Sequence, residues 1–301
     1  MSEKLNDSII EKSKMLFIIN PTSGNERITA LNERIAGIID FTRFEVDGVM
    51  TEYRGHAYEL AKQAVEDNYN YVIAVGGDGT VNEVASALVN TKTVLGIIPN
   101  GSGNGLARHL KIPGDIDSAI ELLNLRTEKF IDSIDINGKY FFNMAGVGFD
   151  AFIAKEFDGN GKRGYKAYRN LILKNYFSYK AKSYEIYTSD TNISVNALMV
   201  CFANGKQWGN GAILSPRSSI SDGVFEICIV SKIPLFSIPS FVRKMFSGKL
   251  ENSSYINKIK AKSAIIIQKD TLVHLDGEPS ELNNRLEINL HPSSLCVLVR
   301  K

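Results

Sequence analysis

Short apolar runs alternate with helical patterns through the first 130 residues of the chain. Each run holds about five residues, and each helical pattern repeats its apolar positions every three or four residues. The pattern predicts strands at residues 15–19, 44–50, 71–75 and 94–98, and helices at residues 26–39, 55–66, 80–89 and 116–123. Buried strands that alternate with helices are typical of a parallel, doubly wound α/β sheet.

Beyond residue 130 the pattern changes to successive strands with few helices. Strands are predicted at residues 131–136, 140–145, 183–188, 194–203, 223–230, 254–260, 264–267, 286–290 and 295–299. Helical segments interrupt them at residues 165–177 and 235–246. Such a run of strands indicates an antiparallel β domain. We therefore expect an α/β plus all-β fold, with a first domain over residues 1–130 and a second over residues 131–290.

Composition agrees with this organisation. The 301 residues are 44% hydrophobic and 23% charged, which is ordinary for a globular chain long enough for two domains. The net charge of +2 is too small to indicate a nucleic-acid partner. Cys201, Cys228 and Cys296 lie in apolar runs without the close spacing of a zinc site. We expect them to be buried thiols in a reducing compartment.

The start of the sequence does not resemble a signal peptide. Residues 1–14 are polar and lack the apolar segment of a signal peptide. No stretch reaches the roughly 18 apolar residues of a membrane span. We expect a cytoplasmic protein, with peripheral contact at the inner membrane surface left open.

A glycine loop after the third predicted strand carries the strongest chemical signal. Its sequence is Gly76-Gly77-Asp78-Gly79-Thr80, and Thr80 opens the next helical pattern. Glycine backbones at a strand-to-helix turn let N–H groups approach a phosphate closely. Asp78 adds negative charge there, which makes sense if the carboxylate meets a metal ion or a reacting hydroxyl. The loop therefore predicts chemistry on a phosphate as well as binding.

Polar or glycine-rich loops follow all the predicted strands of the first domain, at residues 20–25, 51–56, 76–80 and 99–105. Each alone is an ordinary turn. In a parallel sheet these loops share one edge, so their N–H groups, hydroxyls and helix N-termini can converge on a polyphosphate. The chain lacks the Gly-x-x-x-x-Gly-Lys-[Ser/Thr] of a P-loop and the Gly-x-Gly-x-x-Gly of a dinucleotide fold, which disfavours both classes.

Longer motifs occur in order along nearly the whole chain. They are Asn20-Pro21-x-x-Gly24, Thr51-x-x-x-Gly55-His56-Ala57, Gly76-Gly77-Asp78-Gly79-Thr80-Val81-Asn82-Glu83-Val84, Gly101-Ser102-Gly103-Asn104-Gly105-Leu106-Ala107-Arg108, Asn143-x-Ala145-Gly146-x-Gly148-Phe149-Asp150, Ser221-Asp222-Gly223 and Asp276-Gly277-Glu278-Pro279. Together they resemble the diacylglycerol kinase catalytic domain, which bacterial lipid kinases, diacylglycerol kinases, ceramide kinases and sphingosine kinases share.

The resemblance implies a fold and a place for the active site. The fold is like that of NAD kinases and 6-phosphofructokinases, with the nucleotide in the cleft between an α/β domain and a β-sandwich domain. In such folds the last strand often returns to the first domain, so residues 291–301 are expected to rejoin it. The expected reaction is phosphoryl transfer from Mg²⁺-ATP to a lipid hydroxyl at a membrane surface.

The resemblance also implies roles for residues. The expected ATP site comprises Asn20, Gly24, Thr51, Gly76, Gly77, Asp78, Gly79, Thr80, Glu83, Gly101, Ser102, Gly103 and Asn104. Asp78 would support the metal-bound phosphates, and Glu278 would take the proton of the lipid hydroxyl, directly or through Asp78. Asp222, with the backbone oxygens of Ser219 and Val224, matches a structural magnesium site. Asp132 aligns loosely with another acidic position of the family.

Several of these residues also have simpler interpretations. Glu278 and Asp222 each lie beside an Asp-Gly turn signal, so each alone suits a hairpin. Asp150 fits either a lipid head-group contact or a cap for the following helix. Gly105 stands where bacterial members usually carry a second acid after Gly-Thr-x-Asn. Residues 101–104 look more like the sphingosine and ceramide kinase branch, so a diacylglycerol and a sphingoid base both stay open as substrates.

Two segments are candidates for the protein surface. Residues 155–182 carry eight Lys or Arg and two acids, with six interleaved aromatic residues. Lys162, Arg163, Lys166 and Arg169 suit phosphate or anionic lipid, while helical spacing of Tyr168, Leu171, Ile172 and Tyr176 favours a solvated helix with one core-facing stripe. Residues 235–246 suit either a lipid-entry helix at a bilayer or a packed lid.

Two other functions stay open at this point. An NAD kinase shares the Gly-Gly-Asp-Gly-Thr loop, although the Asn-Pro-x-x-Gly and Gly-Ser-Gly-Asn loops favour the lipid branch. A non-catalytic regulator that binds lipid or nucleotide has no physical need for both Asp78 and Glu278. The sequence does not indicate an oligomeric state.

Overall fold

The structure, a computed structural model, describes residues 12–24, 28–101, 103–159, 165–209, 211–251 and 253–300. Ser102, Lys162, Arg163 and the predicted helix start at Glu26 lie outside these ranges, as does the side chain of Lys166. The first elements are β1 (Ser13–Ile19), α1 (Ile28–Ile38), β2 (Phe44–Met50), α2 (His56–Glu66), β3 (Tyr71–Gly76), α3 (Asp78–Leu88), β4 (Val94–Pro99), α4 (Gly105–His109) and α5 (Ile116–Leu125).

The elements that follow are mostly strands. They are β5 (Glu128–Ile136), β6 (Lys139–Phe141), β7 (Met144–Gly148), α6 (Phe149–Gly159), α7 (Tyr165–Tyr176), β8 (Lys182–Tyr187), β9 (Asn192–Ala197), β10 (Met199–Ala203), β11 (Gln207–Gly209), β12 (Ala212–Ile213), β13 (Phe225–Val230), a 3-10 turn (Leu235–Ser237), α8 (Ile238–Phe246), β14 (Ile256–Ala261), β15 (Ser263–Ile267), β16 (Leu272–Leu275), β17 (Glu278–Glu281) and β18 (Arg285–Leu298).

The first strands form the predicted parallel, doubly wound sheet. Their order is β2-β1-β3-β4, and every pairing among them is parallel. All six residues of β3 and of β4 are buried, as expected for strands covered by helices on both faces. This arrangement places the carboxyl ends of the strands, and the loops after them, along one edge.

Two stacked sheets form the second half of the fold. One is a six-stranded antiparallel sheet with the order β14-β13-β10-β7-β16-β17. The other continues the parallel sheet, because Val297 of β18 pairs in parallel with Leu95 of β4 while the start of β18 pairs antiparallel with β15. Apolar residues of both sheets, among them Ile134, Phe202, Ile227 and Ile288, share one core. The prediction of an α/β half and an antiparallel β half is confirmed.

Four predicted strands are divided or joined in the structure. The segment predicted at 194–203 is two strands in different sheets, because Leu198 exchanges backbone hydrogen bonds with Val230 and Phe149 at the crossing point. The segment predicted at 140–145 also divides, into β6 and β7. The segments predicted at 286–290 and 295–299 form one long strand with an irregular register between His291 and Leu295.

The helices follow their apolar patterns. In α7, Tyr176 is buried and Tyr168, Leu171 and Ile172 pack against the same core, so the predicted core-facing stripe is confirmed. The short helix α4, the hairpin β16–β17 and most of α6 were not predicted, and α4, with five residues, is too short to show a clear period. The three cysteines are free and buried, as expected. No helix among the described residues has the length and apolar character that crossing a membrane requires.

Candidate active site

The loops after the parallel strands contact one another at the edge of the sheet. We name them loop 1 (20–24), loop 2 (51–55), loop 3 (76–79) and loop 4 (100–104). Asn20 of loop 1 donates from Nδ2 to Thr80 Oγ1 at 3.0 Å, directly after loop 3. Asn100 of loop 4 donates from Nδ2 to Ser23 O at 3.0 Å and from its backbone N–H to Gly76 O at 2.8 Å. Three loops therefore form one hydrogen-bonded surface.

Two glycines allow this close approach. Gly24 has a φ of +70°, and a Cβ there would fall onto the side-chain amide of Asn100. A Cβ at Gly101 would lie 2.6 Å from the Cα of Gly77, which is backbone and cannot move aside. Loops 3 and 4 thus touch through glycines on both sides.

We expect Gly101→Ala to separate loops 3 and 4, because the new methyl group meets backbone at 2.6 Å. If these loops bind ATP, as the family resemblance implies, the affinity for ATP falls at least about tenfold. Titration of ATP into the protein measures this. Gly114→Ala is the matched control, since a Cβ there meets nothing within 4 Å. Equal ATP affinity in both variants would contradict the assignment of these loops.

Asp78 lies at the start of α3 and is enclosed by loop 4. Its Oδ2 accepts a hydrogen bond from Asn104 N at 2.7 Å, and its Oδ1 accepts one from Gly105 N at 2.6 Å. A Cβ at Gly103 would collide with Oδ2, so only glycine fits there. Burial raises the pKa of Asp78 to about 6, against the two backbone hydrogen bonds that lower it. Asp276 and Glu278 add smaller increases to this pKa.

Glu278 reaches the same place from the other half of the fold. Asp276 and Gly277 have φ values of +50° and +92° and form the two-residue turn between β16 and β17. Glu278 follows directly, with its Oε1 3.1 Å from the position of a Cβ on Gly79. Its Oε2 accepts a hydrogen bond from Arg54 Nη2 of loop 2 at 2.8 Å. The hairpin suggested by Asp-Gly is present, and it places Glu278 beside the glycine loop.

Asp276 fixes the position of that hairpin. Its carboxylate accepts hydrogen bonds from the backbone N–H groups of Phe142, Asn143 and Met144, at 2.9, 2.9 and 3.0 Å. It also accepts one from Asn82 Nδ2 of α3 at 2.9 Å. The contact between Asn82 and Asp276 ties the two halves of the fold together one turn beyond Asp78. Sequence reasoning quoted both residues within motifs but assigned them no role.

Glu83 supports loop 2. Its carboxylate accepts hydrogen bonds from Gly55 N at 2.8 Å and Ala57 N at 3.2 Å, at the first turn of α2. Gly55 immediately precedes this helix and has no side chain that can cap it. Thr51 opens loop 2, and its N–H donates to Ile19 O at 2.9 Å. Glu83 therefore positions the loop that carries Arg54.

Asp150 lies beneath the Glu278 hairpin, and only 6% of it is exposed. Its Oδ2 is 3.0 Å from His274 Nε2 and accepts a hydrogen bond from Cys201 Sγ at 3.1 Å. Its Oδ1 accepts one from Ala151 N, in the first turn of α6. His274 Nδ1 in turn accepts the N–H of Gly277 at 3.3 Å, beside Glu278. Asp150 therefore supports the hairpin through His274, and a lipid head-group contact by Asp150 stays a prediction.

The predicted magnesium residues lie in the loop before β13. Asp222 is exposed, and Ser219 and Val224 are half-buried. Gly223 N donates to Asp132 Oδ2 at 2.8 Å, and Ser293 N donates to Oδ1 at 2.8 Å, so Asp132 orders this loop. The described residues contain no cluster of three or more His, Cys, Asp or Glu that could hold a metal. A structural magnesium ion on Asp222 and two backbone oxygens stays a prediction, which titration of Mg²⁺ into wild-type and Asp222→Ala protein tests.

Two observations indicate that the surface formed by loops 1, 3 and 4 suits a nucleotide. Helix α3 begins after Gly77, which provides no side-chain cap, so its first N–H groups suit phosphate oxygens. Asn104, with a φ of +52°, has a buried Oδ1 without a partner among the described residues. An acceptor of this kind suits a hydroxyl group or a metal-bound water.

Comparison with known proteins then decides the family. Residues 14–136 match the diacylglycerol kinase catalytic domain, and residues 143–299 match the YegS C-terminal NAD kinase β-sandwich-like domain. The chain belongs to the diacylglycerol kinase catalytic-domain family. The resemblance seen in its motifs is confirmed, and so is the pairing of an α/β half with a β-sandwich.

Relatives of this lipid kinase family match most of the chain. A probable lipid kinase YegS-like protein from Pectobacterium atrosepticum is 33% identical over 254 residues, which are 82% of this chain and 83% of the relative. One of the same name from Yersinia pestis (strain Pestoides F) is 31% identical over 88% of this chain and 90% of the relative. The crystal structure of a "putative diacylglycerol kinase" from Bacillus anthracis str. Sterne superposes with a TM-score of 0.78 at 25% identity, covering 96% of this chain and 97% of that one.

Proposed function

We propose that this lipid kinase family member transfers the γ-phosphate of ATP to a hydroxyl group of a membrane lipid. The observation that supports this most strongly is the position of Glu278 over Gly79, next to Asp78, where its Oε1 would lie 3.1 Å from a Cβ on Gly79. Two carboxylates from opposite halves of the fold thereby border one glycine loop. We also propose that the first domain ends at about residue 130 and that residues 291–301 rejoin it through β18.

Each part of the loop surface has a role in binding ATP. The glycine backbones of loops 3 and 4 and the N-terminus of α3 hold the phosphates. Asn20 and Asn100 keep the loops together. Magnesium, when bound, neutralises phosphate charge, and Asp78 would hold it through lone pairs that its two backbone hydrogen bonds leave free.

Glu278 acts as the general base for the lipid. It takes the proton as the lipid O–H bond breaks, a new O–P bond forms and the bond from the γ-phosphorus to ADP breaks. Arg54 of loop 2 positions the Glu278 carboxylate by donating a hydrogen bond from Nη2 to Oε2 at 2.8 Å. The hydrogen-bonded hairpin of Asp276 and His274 keeps it at the glycine loop.

The acceptor is a diacylglycerol or a sphingoid-base type of lipid. Gly105 replaces the second acid of the usual bacterial pattern, and the structure shows what occupies that space. A Cβ at Gly105 would lie 2.6 Å from Asn143 Nδ2 and 3.6 Å from Asp78 Oδ1. An acidic side chain does not fit unless Asn143 moves, so this site has a single carboxylate in loops 3 and 4 where the usual pattern has two.

Transfer of radiolabelled phosphate from ATP tests the proposal. We expect a labelled product from at least one of diacylglycerol, sphingosine, ceramide and phosphatidylglycerol, and none from NAD. Labelled NAD with no labelled lipid would support an NAD kinase instead. ATP binding without any labelled product would support a non-catalytic regulator.

The activity is expected to fall on the acid side with an apparent pKa near 6, because Asp78 must be ionised to hold loop 4 and the metal-bound phosphates. The pKa of this carboxyl is raised, so protonation below about pH 6 removes the active form. The profile of kcat/KM for ATP against pH measures this. A profile that stays flat down to pH 4.5 would contradict the role of Asp78 as an ionised group.

A further inference from the structure

Large apolar side chains are exposed together on α7, on α8 and on the turn before α8. We define the α7–α8 surface by Leu173, Phe177, Leu235, Phe236, Val242 and Phe246. These are half of the twelve large apolar residues that are exposed among the described part of the chain. Phe236 is 86% exposed, more than any other of them. Such a concentration marks an interaction surface.

Hydrogen bonds hold the two parts of this surface side by side. Lys232 Nζ donates to Tyr179 O at 2.7 Å and to Phe177 O at 3.4 Å, at the end of α7. Tyr176 OH donates a hydrogen bond to Ile233 O at 2.7 Å and accepts one from Ile233 N at 2.9 Å. Ile233 lies two residues before Leu235, so Leu235 and Phe236 emerge beside Phe177.

The exposed apolar residues of this surface lie outside the core cluster that packs beneath it. In α8, Ile238, Phe241 and Met245 face the core. Val242 and Phe246 lie four residues apart along one flank of this face and are exposed.

The same division holds in α7. Tyr168, Leu171, Ile172 and Tyr176 face the core, whereas Leu173 is exposed, as is Phe177 just beyond the helix. Each helix therefore carries apolar residues that pack in the core and others that stay exposed at the surface.

The two segments that form this surface carry basic charge, and one acid from another segment, Asp270, pairs with Lys182. Residues 165–182 contain five Lys or Arg and residues 231–250 contain four, and neither segment contains an Asp or Glu. The whole chain has a net charge of only +2, so basic charge is concentrated here. Two copies of the chain would bring like charges together, which disfavours self-association. An anionic partner with an apolar interior is complementary.

We propose that the α7–α8 surface docks on a bilayer that contains anionic lipids. Phe177, Leu235 and Phe236 insert among the acyl chains, while Lys174, Lys232, Arg243 and Lys244 contact the head groups. The proposal rests on the proposed function only for the purpose of docking, since a kinase that acts on membrane lipids must reach a membrane surface. Docking itself requires no phosphoryl transfer.

Sedimentation of the full chain with vesicles tests the proposal. We expect binding to phosphatidylcholine vesicles that contain phosphatidylglycerol, and at least about tenfold weaker binding to phosphatidylcholine alone. The double variant Phe177→Ser/Phe236→Ser should lose at least about tenfold in affinity for the anionic vesicles, because two exposed aromatic side chains no longer insert. Arg243→Gln/Lys244→Gln should lose about fivefold for each charge, on anionic vesicles only.

Leu125→Ser/Phe130→Ser is the matched control, with two exposed apolar residues of the α/β half removed. It should bind vesicles as the wild type does. The proposal is overturned if the wild type binds neither vesicle, if the α7–α8 variant binds as well as the wild type, or if the control loses as much.

A further assay separates this proposal from the proposed function. On a short-chain, monomeric lipid alcohol the α7–α8 variant should be as active as the wild type. Vesicle binding without transfer to any lipid would overturn the proposed function and leave docking intact. Transfer to the monomeric substrate without vesicle binding would overturn membrane docking and leave the proposed function intact.

Discussion

Glu278→Gln is expected to lower kcat for phosphoryl transfer by about 10²–10⁴-fold while ATP still binds. Glutamine keeps the shape of the side chain and its contact with Arg54, but it cannot accept a proton from the lipid hydroxyl. Because the hairpin is held by Asp276 and His274, the fold should stay intact. Single-turnover transfer from radiolabelled ATP measures the rate, and circular dichroism checks the fold.

Glu281→Gln is the matched control for this substitution. Glu281 lies three residues further along the same strand, where its exposed carboxylate pairs with Lys155 at 2.9 Å. An exposed pair of this kind contributes little to stability. Its loss should leave kcat unchanged. A Glu278→Gln enzyme with the turnover of the control would refute the role of Glu278 as general base.

Asp78→Asn is expected to lower kcat by about 10²–10³-fold, because it removes a preorganised negative charge next to the phosphates. Both carboxylate oxygens of Asp78 accept backbone N–H groups of loop 4. The amide NH₂ of asparagine would face one of these donors, so loop 4 should also loosen. The kinetics of Asp190→Asn, an exposed loop position, provide the comparison. Activity equal to that of this control would exclude the proposed role.

Asp78 should also affect stability in a pH-dependent way. Its pKa rises from 3.8 to about 6 on folding, because burial penalises the ionised form. The folded state therefore holds the proton more tightly, and this contribution to stability is complete below about pH 3.8 and lost as pH rises through about 6. The difference in Tm between the wild type and Asp78→Asn should change across this window and stay constant above it. A constant difference from pH 4 to pH 7 would contradict the raised pKa.

Local features of the site could be predicted from the sequence, since strand, glycine turn and helix follow one another without a break. The segment from Tyr71 to Leu88 shows this, with a five-residue apolar run, a glycine loop and apolar residues at helical spacing. The fold class was predictable for the same reason, because the period of the apolar pattern changes near residue 130.

Contacts between distant segments could not be predicted in this way. Arg54 and Glu278 are 224 residues apart, and no pattern in either segment indicates their pairing. Asn82 and Asp276 are 194 residues apart and meet only because the hairpin β16–β17 faces α3. The break at Leu198 was also hidden, since the apolar pattern continues through the point where the chain crosses between sheets.

The glycines of loop 4 show the same limit at short range. Gly103 and Gly105 look like ordinary turn residues in the sequence. Glycine is required at both positions because other groups occupy the space that a side chain would need. The Asp78 carboxylate fills this space at Gly103, and the Asn143 amide fills it at Gly105. That space depends on tertiary contacts that the residue types alone do not specify.

The central claim is that Asp78 and Glu278, one from each half of the fold, act on the same transfer step. A double-mutant cycle on the single-turnover rate tests it most directly, with Asp78→Asn, Glu278→Gln and the double variant compared with the wild type. Residues that act as one unit have non-additive effects, so the double variant should be no more than about tenfold slower than the slower single variant. If the losses of the two single variants instead multiply in the double variant, the two carboxylates act independently, which would contradict a shared role in the transfer step.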